Sequence, residues 1–201
     1  MAHAGGRDES RVRRSLLPQE LHVVKRRSFV THLTAGVIAL GVGASPSFGQ
    51  AHRYLTDEQA LRLVFPNGEI IRDENNMTDA QLARAEQTLR LRLSSRRQIV
   101  YRGYGGYAMF LNEIGKDQPI TMIVGVSEEF RVIRIALVVF RESRGWEVED
   151  ERFCRQFRGK SIGDRLAIGS DIVGVTGATL SSRAFCRGAR KALAICEAIY
   201  R

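Results

Sequence analysis

The chain has 201 residues, 44% of them hydrophobic and 26% charged, with a formal net charge of +9 and a sequence pI near 10.1. That is globular composition, sufficient for one core of ordinary domain size, and it excludes a disordered or fully membrane-embedded chain. All four histidines, His3, His22, His32 and His52, lie in the first quarter; the body that follows can build no Ser-His-Asp or Cys-His site and no HExxH zinc helix.

The basic surplus is uneven, with nearly half of it in the first quarter. Residues 1–51 carry 7 basic against 3 acidic groups, and the remainder 24 against 19. No zinc-finger spacing, aromatic RNA-binding motif or basic recognition helix accompanies it, so no nucleic-acid partner is expected. Residues 1–24 read as a disordered extension. Residues 25–51 place Lys25-Arg26-Arg27 before a weakly apolar run, then Pro46 and small residues, which is the order of an export signal. Arg26-Arg27-Ser28-Phe29-Val30 has the look of a twin-arginine signal, with general secretion and an uncleaved anchor as the other readings. Cleavage after Gly49 or Ala51 would start the mature protein near residue 52, placing it in the periplasm or on the extracytoplasmic face of a membrane.

Thr56-Asp57-Glu58 followed by Ala60, Leu61 and Val64 predicts a two-turn helix stopped by Pro66. Thr78 with Gln81 forms a capping box, and Leu82, Ala85, Leu89 and Leu93 extend a second helix over 79–93. Strand-like runs follow at 98–102, 107–114, 120–126 and 130–140, joined by short Gly-bearing connections that favour antiparallel pairing. A short helix is expected over 151–157 and a long terminal one over 181–200, with Ala184, Ala189, Leu193, Cys196 and Tyr200 on or near one stripe. The whole reads as one α+β domain over 52–201, a mainly antiparallel sheet packed with helices. Cys186 and Cys196 sit about 15 Å apart along that last helix, too far for a disulfide. Cys154 could pair with either, or all three act as small buried hydrophobes.

Between the sheet and the last helix lies the segment from Asp171 to Ser182. Gly174 and Gly177 permit a tight backbone, Ala178 leaves it uncluttered, and Thr179 presents a hydroxyl just before a helix start. Free helix N–H groups there, with the Ser181 and Ser182 hydroxyls, suit a phosphate. On these residues alone, a plain Ser/Thr-rich cap is the favoured reading.

Thr176-Gly177-Ala178-Thr179-Leu180-Ser181-Ser182 resembles the (Ser/Thr)-Gly-Ala-Thr-x-(Ser/Thr) signature of the FMN-binding domain family, which includes the flavin subunits of the Rnf complex and of the sodium-translocating NADH:quinone reductase. Upstream, Glu142-Ser143-Arg144-Gly145-Trp146 and then Phe153, Gln156-Phe157 and Gly159-Lys160 are similar to two further family segments in the same order. The likeness runs from about Gly103 to the end and makes 103–201 the core motif region.

The resemblance implies FMN as cofactor, joined through its phosphate to Thr179 by a separate Mg-dependent flavin transferase that uses FAD. It implies an electron carrier with a membrane-bound redox partner rather than a stand-alone enzyme, with no catalytic residue or metal of its own. Thr176, Gly177, Ala178, Leu180, Ser181 and Ser182 would surround the attachment point, and Glu142, Gly145, Trp146, Phe157 and Lys160 would line the flavin pocket. Trp146 reads equally as core, Lys160 as a surface charge, and Asp171 either as a loop-orienting group or as a turn-starting residue. Tyr104 and Tyr107 could stack on a flavin or simply flank a Gly-rich turn. An exported non-covalent flavin reductase and a flavin-free binding domain of the same fold are the rival readings.

Overall fold

Two capping boxes and a set of apolar strands account for most of the architecture. The computed structural model describes residues 51–201; the segment read as an extension and all but the last residue of the one read as an export signal lie outside them. In chain order come β1 (His52–Arg53), α1 (Asp57–Val64), β2 (Ile71–Asn76), α2 (Asp79–Leu89), β3 (Arg97–Gly103), β4 (Gly106–Ile114), β5 (Pro119–Ser127), β6 (Val132–Phe140), a single 3-10 turn (Trp146–Glu149), α3 (Glu151–Arg155) and α4 (Thr179–Tyr200).

At α1 the Thr56 hydroxyl accepts from the Gln59 amide while Gln59 Oε1 accepts from the Thr56 amide; Thr78 and Gln81 repeat this at α2. Each reciprocal pair satisfies two amides that a helix start leaves orphaned. α2 stops at Leu89, four residues before the spacing suggests, because Arg90 takes a left-handed conformation (φ 55°). Leu93 still packs on the core, its amide held by Glu86 at 2.9 Å. Its apolar side chain is thus delivered by a turn, which helical periodicity cannot distinguish from a fourth helical turn.

All pairings in the six-stranded sheet are antiparallel, in the order β1-β6-β5-β4-β3-β2. The β4–β5 hairpin keeps register over nine pairs, from Gly106 opposite Ser127 to Ile114 opposite Pro119. β6 begins at Val132, two residues later than expected, since Phe130 lies in the preceding turn with φ 57°. β2, with the sequence Ile-Arg-Asp-Glu-Asn-Asn, has no apolar alternation because it is an edge strand whose side chains are largely solvated.

One face of the sheet carries the larger core, where Met109, Met122, Val124, Ile135 and Leu137 meet α4 and a Phe153–Phe157–Phe185 aromatic cluster. Burying an aromatic such as Phe185 completely contributes roughly 1.5–3 kcal/mol. The opposite face holds α1 through Ala60, Val64 and Phe65 on Ile123 and Val138. Thus the domain is single and α+β, with the long C-terminal helix leaving the loop read above as the attachment segment. Among the described residues no helix is long and apolar enough to cross a membrane.

Candidate functional site

α4 starts two residues earlier than the hydrophobic stripe indicates, so Thr179 is its first residue rather than a loop residue. The turn before it closes when the Ala178 amide donates to the Val175 carbonyl at 3.0 Å. Gly177 sits inside that turn at φ 80°, a conformation that a side chain would strain. The first helical hydrogen bond is from the Ser182 amide to the Ala178 carbonyl at 2.8 Å. Among the described residues, the amides of Thr179, Leu180 and Ser181 meet no acceptor, and Ala178 supplies no cap. Three N–H groups at the positive end of a 22-residue helix are therefore left without an acceptor next to the exposed Thr179.

The segment leading into this helix is pinned by side chains at three points. Ser182, completely buried, accepts from the Val175 amide at 3.1 Å and donates to the Ala178 carbonyl at 2.9 Å. The Gln156 amide group holds both backbone groups of Val173, at 3.0 and 2.8 Å, as a neighbouring strand would. Asp171 accepts from the amides of Leu166 and Ala167 at 3.1 and 3.0 Å and pairs with Lys160 at 3.2 Å. Burial pushes the Asp171 carboxyl up, but those two amides and the Lys160 ammonium outweigh it and hold the group below the ordinary aspartate value. Between these pins runs a groove of about 440 Å³, bounded by Ile168, Gly169 and Ser170 on one side and by residues 172–176 on the other, with Thr179 at its end. A second depression of about 270 Å³ lies across Val173, Gly174 and Val175, against Phe153 and Gln156.

The upstream candidates divide between this place and the scaffold behind it. Gly145 abuts the helix start: a Cβ there would stand 2.5 Å from Ser181 Oγ and 3.7 Å from Ala178 Cα, and its φ is 95°. Trp146 follows at once and is 47% exposed, which rules out the core reading. Glu142 faces another way. One of its oxygens accepts from the amides of Lys116, Asp117 and Gln118 at 2.6, 2.7 and 2.9 Å, so it caps the β4–β5 turn. Burial raises its pKa, and the three amides more than reverse that.

Phe157 is fully buried between Phe153 and Phe185, so it supports the segment from behind and lines no open surface. Lys160 is neither a free surface charge nor an open contact but the partner of Asp171. Leu180 is 43% exposed beside Thr179, and Thr176 is exposed on the approach to it. Tyr104 is solvated at the β3–β4 turn, and Tyr107 stacks on Tyr200 with centroids 4.2 Å apart. Tyr200 ends the helix that Thr179 begins, about 32 Å away along its axis. Cys154, Cys186 and Cys196 are free and buried, and burial pushes their thiols up to about 12, 11 and 12.

Gln156 is the residue that motif reading undervalued. Its signal was present in the segment Phe153…Gln156-Phe157, but nothing in a sequence says which backbone an amide will reach. The same holds for Lys160 and Asp171, whose eleven-residue separation conceals their pairing.

Residues 115–194 match the family model of the FMN-binding domain. The match identifies an FMN-binding domain in this part of the chain. No match is found among curated proteins. The FMN-binding domain match opens at the β4–β5 turn that Glu142 caps and closes inside α4, so it contains every candidate site residue from Glu142 to Ser182. It leaves α1, α2 and β1 to β4 outside, although all four of those strands belong to the same sheet as β5 and β6. The geometry fits a flavin mononucleotide. Three donor amides at a helix start suit a phosphate, and the adjoining groove falls within the range of about 300–1,000 Å³ usual for small-molecule sites.

Proposed function

We propose that this chain is an exported electron-transfer protein that holds FMN covalently, with the phosphate esterified to the Thr179 hydroxyl. The observation that carries the reading is the position of Thr179, an exposed hydroxyl on the first residue of a helix whose leading amides have no acceptor among the described residues. Thr179 would receive the flavin phosphate from FAD: its Oγ–P bond forms as the pyrophosphate bond breaks and AMP leaves.

A threonine hydroxyl is a poor nucleophile unaided, and no histidine follows His52. A separate Mg-dependent flavin transferase therefore takes the hydroxyl proton and supplies the metal. After transfer, the Thr179, Leu180 and Ser181 amides face the remaining negative charge, an interaction worth about 0.3–1 kcal/mol at an exposed helix start. Bound FMN supplies one- and two-electron redox chemistry, while the protein contributes position and electrostatics. The partners are the transferase and a membrane-bound redox protein outside the cytoplasm.

Co-expression of the full chain with a flavin transferase tests the attachment. After denaturing electrophoresis, the wild-type band should show flavin fluorescence and the Thr179→Ala band should be dark. Flavin that copurifies but dissociates on denaturation would favour a non-covalent reductase, and absence of flavin from both proteins would favour a flavin-free binding domain. Export is tested separately by fractionating cells that carry Arg26→Lys/Arg27→Lys. Retention of this variant in the cytoplasm supports a twin-arginine signal, and undiminished export rejects it.

A further inference from the structure

The sheet has one bare edge with charge built around it. β6 is flanked by β1 only at Val139 and Phe140. The Val138 carbonyl accepts from Tyr54 and Leu55, and at the other end Val132 exchanges bonds with Gly159 and Lys160. Between these ends, residues 133–137 have no neighbour on that side among the described residues.

A cavity of about 230 Å³ opens at this stretch. Its floor is Ile133 and Ile135, and α1 contributes Leu63, Val64 and Pro66 from one face of the sheet. From the other face α3 and the turn after it bring Arg155 and Arg158, while Arg134 and Glu151 bridge at 2.9 Å. Neither Arg155 nor Arg158 forms an ion pair among the described residues, and both are exposed. Arg134 Nε is buried without an acceptor.

We propose that this edge is a docking site for an extended acidic segment of a partner protein, added as a seventh strand beside residues 133–137. An unpaired strand edge offers main-chain hydrogen bonds, and side-chain pockets beside it supply selectivity. The apolar floor takes an aliphatic side chain, and Arg155 and Arg158 face carboxylates. The same charges argue against a second copy on this edge, since an antiparallel pairing of two such edges brings two arginine clusters together. α3 also connects the edge to the flavin loop, because its C-cap residue Gln156 holds Val173.

The test uses the full chain and a fluorescein-labelled, end-capped octapeptide of alternating valine and glutamate, with a valine–lysine octapeptide as control. Fluorescence anisotropy should show the glutamate peptide binding at least tenfold more tightly than the lysine peptide. Arg155→Glu/Arg158→Glu, both on the surface and checked for folding by circular dichroism, should reverse that preference. Methylation of alternate peptide nitrogens should abolish binding in one register and spare it in the other, since only one edge of an added strand faces β6. Equal affinity for both peptides, indifference to both methylation registers, or no binding to the full chain would overturn the proposal. So would sedimentation as a dimer that excludes the peptide, which would assign the edge to a second copy.

Discussion

At the starts of α1 and α2 a threonine hydroxyl and a glutamine side chain close the orphaned amides back on the chain itself. At the start of α4 the threonine stands one position further on, as the first helical residue instead of the cap, and no side-chain cap bond closes this helix start. On the function proposed above, a shift of one residue turns the same side chain from a stabilising device into an attachment point. A side-chain cap stabilises a helix by about 1 kcal/mol, which α4 forgoes. α4 can do so because its stripe, including Ala184, Ala189, Leu193 and Cys196, is fully buried on the sheet. α1 and α2, of eight and eleven residues, bury far less and depend more on their ends.

The largest effect that can break this contrast is Thr179→Ala, which should eliminate covalently retained flavin while moving the melting temperature of the flavin-free protein by no more than about 2 °C, or about 0.5 kcal/mol at a surface position. A large loss of stability would mean that Thr179 caps its own helix after all. Next comes Ser182→Ala, which leaves the part-buried Val175 amide without an acceptor. It should cost roughly 1–3 kcal/mol in denaturant unfolding and lower flavin loading as well, because the turn before Thr179 loses its clamp; a stable variant with unchanged loading would refute that.

Thr56→Ala and Thr78→Ala are the converse, each expected to cost about 0.5–2 kcal/mol and leave loading at the wild-type level. Reduced loading in either would show that α1 or α2 contributes to the site. The smallest effect concerns pH. Asp171 has a folded pKa below its ordinary value, so its charge contributes fully above the unfolded value of about 3.9 and loses that contribution as pH falls through the lower folded value. The stability gap between wild type and Asp171→Asn should be constant above about pH 5 and shrink below about pH 4. A pH-independent gap would show that the carboxylate's charge is not what holds the loop.

How much of this is legible in the sequence depends on whether a residue acts on its own segment or on a distant one. The boxes at Thr56 and Thr78, the apolar runs of β3 to β6 and the stripe of α4 are local patterns, and each appears within two residues of where the spacing places it. β2 is missed because an edge strand needs a partner more than it needs apolar residues, and its partner is assigned only by the fold. The site is legible as a motif and not as a mechanism. Thr179 can be picked out from its neighbours, whereas Gln156 on Val173, Lys160 on Asp171, Glu142 on the β4–β5 turn and Ser181 against Gly145 are long-range pairings. Phe157 shows the complementary error, since a motif position can be required for packing behind a site instead of contact within it.

The placement of Thr179 on the first turn of α4 also sets the length of the leash. A group esterified there hangs from a single side chain on a 22-residue helix locked to the sheet, with Ser182 fastening the approach from beneath. Such a tether permits rotation about a few bonds and little travel. On the proposed attachment, serving a donor and an acceptor that sit apart would require the whole domain to turn between them, or both to come to the same face; the cofactor itself would not swing across the gap.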